Sequence, residues 1–179
     1  TPSRRGMTGI DFSLLSKKKA EKSLLKYVRR SVGRSKASGR ITVRHKGGGV
    51  KKLYRIIEFS QTIVDIPAKV IALEYDPNRT AFIALIEYSI VPVLGQNPKR
   101  QYIIAPQGLK VGDSVVFAEN APLTPGNRLQ LKNVSVGTMV YNIELEPSRG
   151  GILVRSAGSA AQVLAQEHGF THLKMPSSE

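Results

Sequence analysis

The sequence contains no cysteine, so disulfides, thiolate-bound zinc, iron–sulfur clusters and thiol catalysis are excluded and a reducing compartment suits it. It also lacks any apolar stretch near the ~20 residues that a membrane-spanning helix needs, and no hydrophobic signal-peptide region follows the first charges. A secreted or membrane-spanning chain is not expected. Acid is scarce where base is dense. Residues 1–55 hold 17 Lys and Arg against 2 Asp and Glu, whereas residues 56–179 hold 10 against 11. The whole +14 surplus therefore sits in the leading segment. Such an arm repels itself until a polyanion neutralises it, while the remainder can collapse normally. Basic, serine-containing and poor in acid, the arm is also composed like an organelle transit peptide; its later motifs argue against that reading.

A converging set of titratable groups is lacking too. His45 is embedded in a basic loop, where a phosphate contact or simple exposure suits it better than acid–base work. His168 and His172 stand four apart beside Glu167, a metal-ligand spacing on a helix. Gly169 and Thr171 weaken a helix there, however, and no third ligand accompanies them, which argues against zinc. No catalytic site, small-molecule substrate or cofactor of the chain's own is expected.

What remains reads as β structure. Ten prolines and sixteen glycines punctuate short apolar runs in a 179-residue chain, the pattern of two small all-β units in which helix is scarce. Residues 1–10 read as extended. Residues 13–30 read either as a short helix, from the loose recurrence of Leu14, Leu15, Leu24, Leu25 and Val28, or as an extended strip on a partner, since Lys17, Lys18, Lys19, Lys22 and Lys26 repel one another. Residues 40–44 (RITVR) and 51–59 (KKLYRIIEF) are predicted to form a hairpin around Gly47, Gly48 and Gly49. Residues 67–75 and 80–88 form a second hairpin around Asp76, Pro77, Asn78 and Arg79, with Pro and Asn where turn geometry wants them. Its strands are apolar on both faces, as in a covered sheet. Further strands are predicted at residues 100–105, 114–117, 128–131, 138–145 and 151–155. Propensity alone makes residues 157–167 (AGSAAQVLAQE) a helix.

Several motifs suit nucleic acid. In RHKGGGVKK (residues 44–52), glycines let backbone N–H groups approach phosphate while Arg44, Lys46, Lys51 and Lys52 supply counter-charge. The spacing of a nucleotide-binding loop is not present. A solvated glycine turn explains the same residues about equally well. Arg79 either pairs weakly with Asp76 across its turn or presents a guanidinium to phosphate or base. Arg149 and Arg155 flank Gly150 and Gly151. Tyr75, Tyr88 and Tyr102 suit the core; Tyr54, in the basic hairpin, is the tyrosine placed to stack on a base.

Taken in order, RITVRHKGGGVKKLYRIIEF, IPAKVIALEYDPNRTA, QYIIAPQGLKVGD, PGNRL, VGTMVYNIE and GGILVRSAGSAAQ resemble the bacterial-type family of the second protein of the large ribosomal subunit. The resemblance runs through the whole chain and implies a mainly β fold. It divides the chain into a basic extended arm (1–39), an oligonucleotide-binding (OB) type barrel (40–117) and an SH3-like barrel (118–179). It implies a structural constituent of the large subunit that binds and stabilises its rRNA near the peptidyl-transferase region, beside neighbouring ribosomal proteins. No membrane, no homo-oligomer and no metal beyond the magnesium that rRNA carries are expected. The setting implied is a bacterial cytoplasm or an organelle matrix. The alternative is a soluble OB/SH3-like translation factor that binds RNA transiently.

The RNA-binding residues expected are Arg4, Arg5, Lys17, Lys18, Lys19, Arg29, Arg30, Arg34 and Lys36 of the arm, followed by Arg40, Arg44, His45, Lys46, Gly47, Gly48, Gly49, Lys51, Lys52, Tyr54 and Arg55. Arg79 of the DPNR turn, Arg149, and Arg155 with Ser156 of the VRSAG stretch complete the set. The family also makes residues 157–167 mostly strand, and tertiary context overrides weak helix preference. Three departures stand out. Ser60 and Gln61 replace a usual basic pair; residues 90–99 form a longer, more apolar loop, as for a neighbour particular to this ribosome; and the chain stops at MPSSE, where relatives continue into a basic tail. The second barrel is therefore expected to lack closing strands, with the chain trimmed or completed by a separate polypeptide.

Overall fold

Every residue of the strand Ile83–Tyr88 (IALIEY) except Glu87 is buried, because the sheet to which it belongs is covered on both faces. The computed structural model describes residues 2–17, 19–28, 33–46, 50–89 and 99–177. Among these residues, nine short strands make three sheets: β1 (Leu25–Tyr27) with β2 (Leu53–Arg55), then β3 (Ala68–Glu74), β4 (Ile83–Tyr88), β5 (Arg100–Ile104) and β6 (Ser114–Val115) in the order β5-β4-β3-β6, then β7 (Met139–Val140), β8 (Ala161–Glu167) and β9 (Phe170–Lys174) in chain order. All strand pairs are antiparallel. The fold is mainly β, its curled four-stranded sheet and smaller sheets consistent with OB-type and SH3-like barrels. Among the described residues, helix is limited to three 3-10 turns.

Side-chain alternation, interrupted once, decides the core. A period of two sends Ala84, Ile86 and Tyr88 of β4 to one cluster and Ile83 and Leu85 to the other. On β3 the same rule would put Ala68, Val70 and Ala72 together. A β-bulge between Val70 and Ala72 resets the phase, so Ala68, Val70 and Leu73 share the first cluster and Ala72 joins the second. Bulges of this kind bend the strand and increase its twist. Val115 and Phe117 complete the first cluster, and each fully buried side chain of that size stabilises the fold by about 1.5–3 kcal/mol. Leu24 of the arm and Phe59 cover the second cluster, together with Tyr141 from the far half of the chain.

The hairpin at residues 76–79 forms as expected, the Arg79 N–H donating to the Asp76 carbonyl at 3.3 Å. The expected hairpin of residues 40–44 with 51–59 does not. Leu53–Arg55 pairs instead with Leu25–Tyr27, and Ile41 bridges back to Arg34, because a local turn satisfies the 40–44 backbone first: the Gly33 carbonyl accepts from the N–H of Thr42 and Val43 at 2.8 and 3.0 Å. The short-helix reading of residues 13–30 also fails. Among its described residues there is a turn at residues 13–15, one 3-10 turn at Lys22–Leu24 and the short strand β1, since long-range partners claim its backbone: the Ser16 N–H donates to Leu73 O and the Glu21 N–H to the Tyr102 hydroxyl, at 2.8 and 2.9 Å. Pro2–Gly6, read as extended, forms a 3-10 turn.

Residues 128–131 and 151–155 are not strands. Each contributes only an isolated bridge, Phe117 with Arg128 and Ile143 with Leu153, and Leu131–Asn133 turns as 3-10. Ala161–Glu167 is strand β8, against its helix propensity, because Ala161 and Val163 are fully buried between β7 and β9. His168 opens the β8–β9 turn with φ +49° and His172 lies on β9, so the helical spacing of those imidazoles is not realised. The loop at residues 90–98 lies outside the described residues.

Candidate nucleic-acid interface

The DPNR turn carries Arg79, and strand β2 holds that turn from the side. Lys52 Nζ donates to Pro77 O and Asn78 Nδ2 to Leu53 O, both at 3.1 Å. Inside the turn, Asp76 Oδ1 accepts from the Asn78 N–H at 2.9 Å, while Arg79 Nε lies 3.1 Å from Asp76 Oδ2. The Asp76 side chain is 0% exposed and that of Arg79 20%. This is not the weak surface pair read from sequence, since a carboxylate withdrawn from water depends on its partners. Arg79 Nη2 donates to the Tyr54 hydroxyl at 2.8 Å, and its Cζ lies 5.2 Å from the Tyr54 ring centre. Tyr54 thus supports the arginine through both its hydroxyl and its ring.

A second guanidinium approaches the same place. Arg155 Cζ is 4.6 Å and Arg79 Cζ 5.4 Å from the centre of the Phe59 ring. Phe59 is held by its own backbone: its carbonyl accepts from the Gly151 N–H at 3.2 Å and from Arg128 Nη1 at 2.7 Å. Gly150 and Gly151 are required by this packing. A Cβ at Gly151 would come within 2.0 Å of Asn142 Oδ1, and Gly150 adopts φ +89° with its Cβ position 3.3 Å from Phe59. Arg128 also donates to Gln61 Oε1 at 3.0 Å and pairs with Glu144. Gln61 is buried and serves an internal bond, which explains an uncharged residue at that place. The Ala157 N–H donating to Thr80 Oγ1 at 3.1 Å adds one more tie between the halves.

The arm presents its charge outward. Residues 33–43 close a small loop, with Ser35 N–H donating to Arg40 O at 2.9 Å and Arg34 Nη1 to Gly39 O at 3.2 Å; Arg34, Lys36 and Arg40 are exposed on it. Arg5, Lys17, Lys19, Arg44, His45, Lys46, Lys51 and Lys52 are exposed as well. Lys18, Arg29, Arg30, Gly47, Gly48 and Gly49 lie outside the described residues, as does the side chain of Arg4. Arg55 is half-buried and faces inward, its charge favouring the carboxylate of Glu74. Arg149 is exposed and pairs with Glu146 at 3.0 Å. Ser156 is exposed and its carbonyl accepts from Ser159 Oγ at 2.6 Å.

Beneath this surface sits a polar knot. Tyr102 accepts from the Glu21 N–H and donates to Glu74 Oε2 at 2.8 Å. Burial pushes the Glu74 carboxyl up from 4.5, opposed by the Tyr102 hydrogen bond and the Arg55 charge. Burial likewise raises Tyr102, and raises Tyr88, whose hydroxyl donates to Gln101, to about 12. The Glu21–Tyr102 bond ties the arm to β5, and the Tyr88–Gln101 bond ties β4 to β5. Among the described residues, no three His, Cys, Asp or Glu side chains are grouped to hold a metal.

Sequence reasoning overlooked Phe59 and Arg128. Neither carries a local signal, because their partners at Arg79, Gly151, Arg155 and Glu144 are far along the chain. Comparison with protein families matches residues 21–117 to the ribosomal proteins L2 RNA-binding N-terminal domain and residues 124–179 to the ribosomal proteins L2 C-terminal domain. With both domains matched in chain order over most of its length, the chain belongs to the ribosomal protein L2 family, the rRNA-binding ribosomal proteins of the large subunit.

Proposed function

We propose that this protein is a structural constituent that stabilises large-subunit rRNA near the peptidyl-transferase region, by neutralising phosphates that RNA folding brings together. One observation carries the reading: the chain's entire positive surplus lies ahead of Ile56, and the described part of that segment turns nearly all of it to solvent. A folded polyanion offers phosphates in the number and density that such a surface matches. Arg79 and Arg155 extend the basic surface onto the body of the protein, where rigid turns hold them. The residues set out above from the sequence are the proposed contacts, with Arg55 and Tyr54 acting from behind and Arg149 at the margin.

The proposed division is an arm over residues 1–39, an OB-type barrel over 40–117 and an SH3-like unit over 118–179. The protein acts as a single copy among neighbouring ribosomal proteins in a ribosome of bacterial type, in a bacterial cytoplasm or an organelle matrix. It contributes no catalytic group and no cofactor of its own; magnesium at the interface belongs to the rRNA. Sucrose-gradient sedimentation of ribosomes washed at moderate salt tests this. The protein is expected to remain with large subunits. Its release, with recovery as free protein, identifies a transient factor instead. Cross-linking on intact subunits then tests the location, with links to RNA of the peptidyl-transferase region expected.

A further inference from the structure

Two arginines that share no stretch of sequence meet at one aromatic ring. Arg79 comes from the β3–β4 turn and Arg155 from the segment ahead of β8, yet both hold Cζ within 5.4 Å of the Phe59 ring centre. Two guanidinium ions in one neighbourhood repel each other, and long side chains lose rotamer freedom when fixed. Something must hold them there. An aromatic face attracts a guanidinium through its quadrupole, and a ring already in place spares an incoming ligand the work of ordering the side chain.

We propose that Phe59 is a positioning residue for RNA recognition: its ring keeps Arg79 and Arg155 together so that both present N–H donors to adjacent phosphate oxygens of the RNA. This rests on the reading of those arginines as rRNA contacts and adds the residue that arranges them. Each guanidinium is tied on one side only. Arg79 is ion-paired through Nε with Asp76 and donates from Nη2 to Tyr54, and Arg155 donates from Nη1 to the Gly151 carbonyl at 3.2 Å. Among the described residues, Arg79 Nη1 and Arg155 Nη2 have no protein partner. Each is left to make a charge-assisted hydrogen bond to a phosphate oxygen.

Phe59 is itself immobilised by the segment that carries Arg155. Its carbonyl accepts from the Gly151 N–H, and Gly150 packs against its backbone closely enough that a Cβ would stand 3.3 Å away. The ring therefore fixes the distance between an arginine of the first half and one of the second. A leucine of comparable bulk would preserve the packing and leave both charges in place. It would not hold them together.

The test is binding of the full chain to protein-free large-subunit rRNA at fixed ionic strength, with folding of each variant checked by circular dichroism. F59L is expected to weaken binding by roughly three- to tenfold, and F59Y to restore it. In an R79Q/R155Q background, F59L is expected to cause no further loss, since the residues it positions are gone. A purely structural role predicts the same loss in both backgrounds and overturns the proposal, as does wild-type affinity of F59L. Should F59L not fold, the wild-type guanidinium Hε resonances decide: ring-current upfield shifts at Arg79 and Arg155 are expected, and their absence overturns it. If wild-type protein itself does not bind rRNA, the proposed function fails; if it binds and F59L binds equally, only the role of Phe59 does.

Discussion

Asp76 Oδ2 and Arg79 Nε stand 3.1 Å apart within a single turn, and the carboxylate is wholly withdrawn from solvent. Removing its partner would leave a buried charge uncompensated, whereas removing the carboxylate also deprives the Asn78 N–H of its acceptor. D76A is expected to destabilise the protein by about 2–4 kcal/mol, read by urea denaturation. D76N, which keeps an acceptor for Asn78, is expected to lose less. Equal losses would mean that the charge pairing contributes nothing.

The Glu74 carboxyl has a native pKa raised above 4.5, mainly by burial. The folded state therefore holds this proton more tightly than the unfolded state does. Its contribution to stability is complete below 4.5 and is lost as pH rises through the native value. E74Q cannot titrate and can still accept from Tyr102. Stability curves against pH are expected to show wild type losing ground to E74Q as pH rises from 4.5, with no change in their difference at higher pH. A parallel pair of curves refutes this.

Tyr102 is fully buried and its hydroxyl serves two partners at once, Glu21 N–H and Glu74. Y102F leaves a backbone donor and a buried carboxyl short of a partner. A loss of about 1–3 kcal/mol is expected, and hydrogen exchange at the Glu21 amide is expected to rise, because that N–H loses its acceptor on β5. Unchanged exchange at that amide would show that other contacts suffice.

Gly151 admits no side chain, its Cβ position lying 2.0 Å from Asn142 Oδ1 and 2.6 Å from Asn142 O. G151A must push these groups apart and displace the N–H that bonds to Phe59. Destabilisation of about 1–3 kcal/mol is expected, together with weaker rRNA binding, since Arg155 moves with Gly151. Full affinity in G151A would separate this contact from the interface.

Salt dependence tests the electrostatic reading most directly. Affinity for large-subunit rRNA is expected to fall by roughly a thousandfold or more between low and moderate salt if about 6–10 phosphates are neutralised. R40Q, at an exposed position of the loop of residues 33–43, is expected to reduce the logarithmic salt slope by about 1 while changing stability by no more than about 0.5 kcal/mol. A flat salt response in wild type would remove the argument.

Charge and periodicity by themselves determined a great deal: the basic leading segment, the all-β texture, the DPNR hairpin and the two-faced burial of its strands. These are local properties. Side-chain chemistry or a spacing of two residues expresses each of them within a short window. Tertiary structure alone decided the rest. Leu53–Arg55 pairs with Leu25–Tyr27 rather than with residues 40–44, Ala161–Glu167 becomes strand although its residues prefer helix, and Phe59 receives one arginine from each half of the chain. Backbone groups take whichever partner the assembled sheets leave available, and that choice depends on residues distant in the chain. A short window cannot contain it.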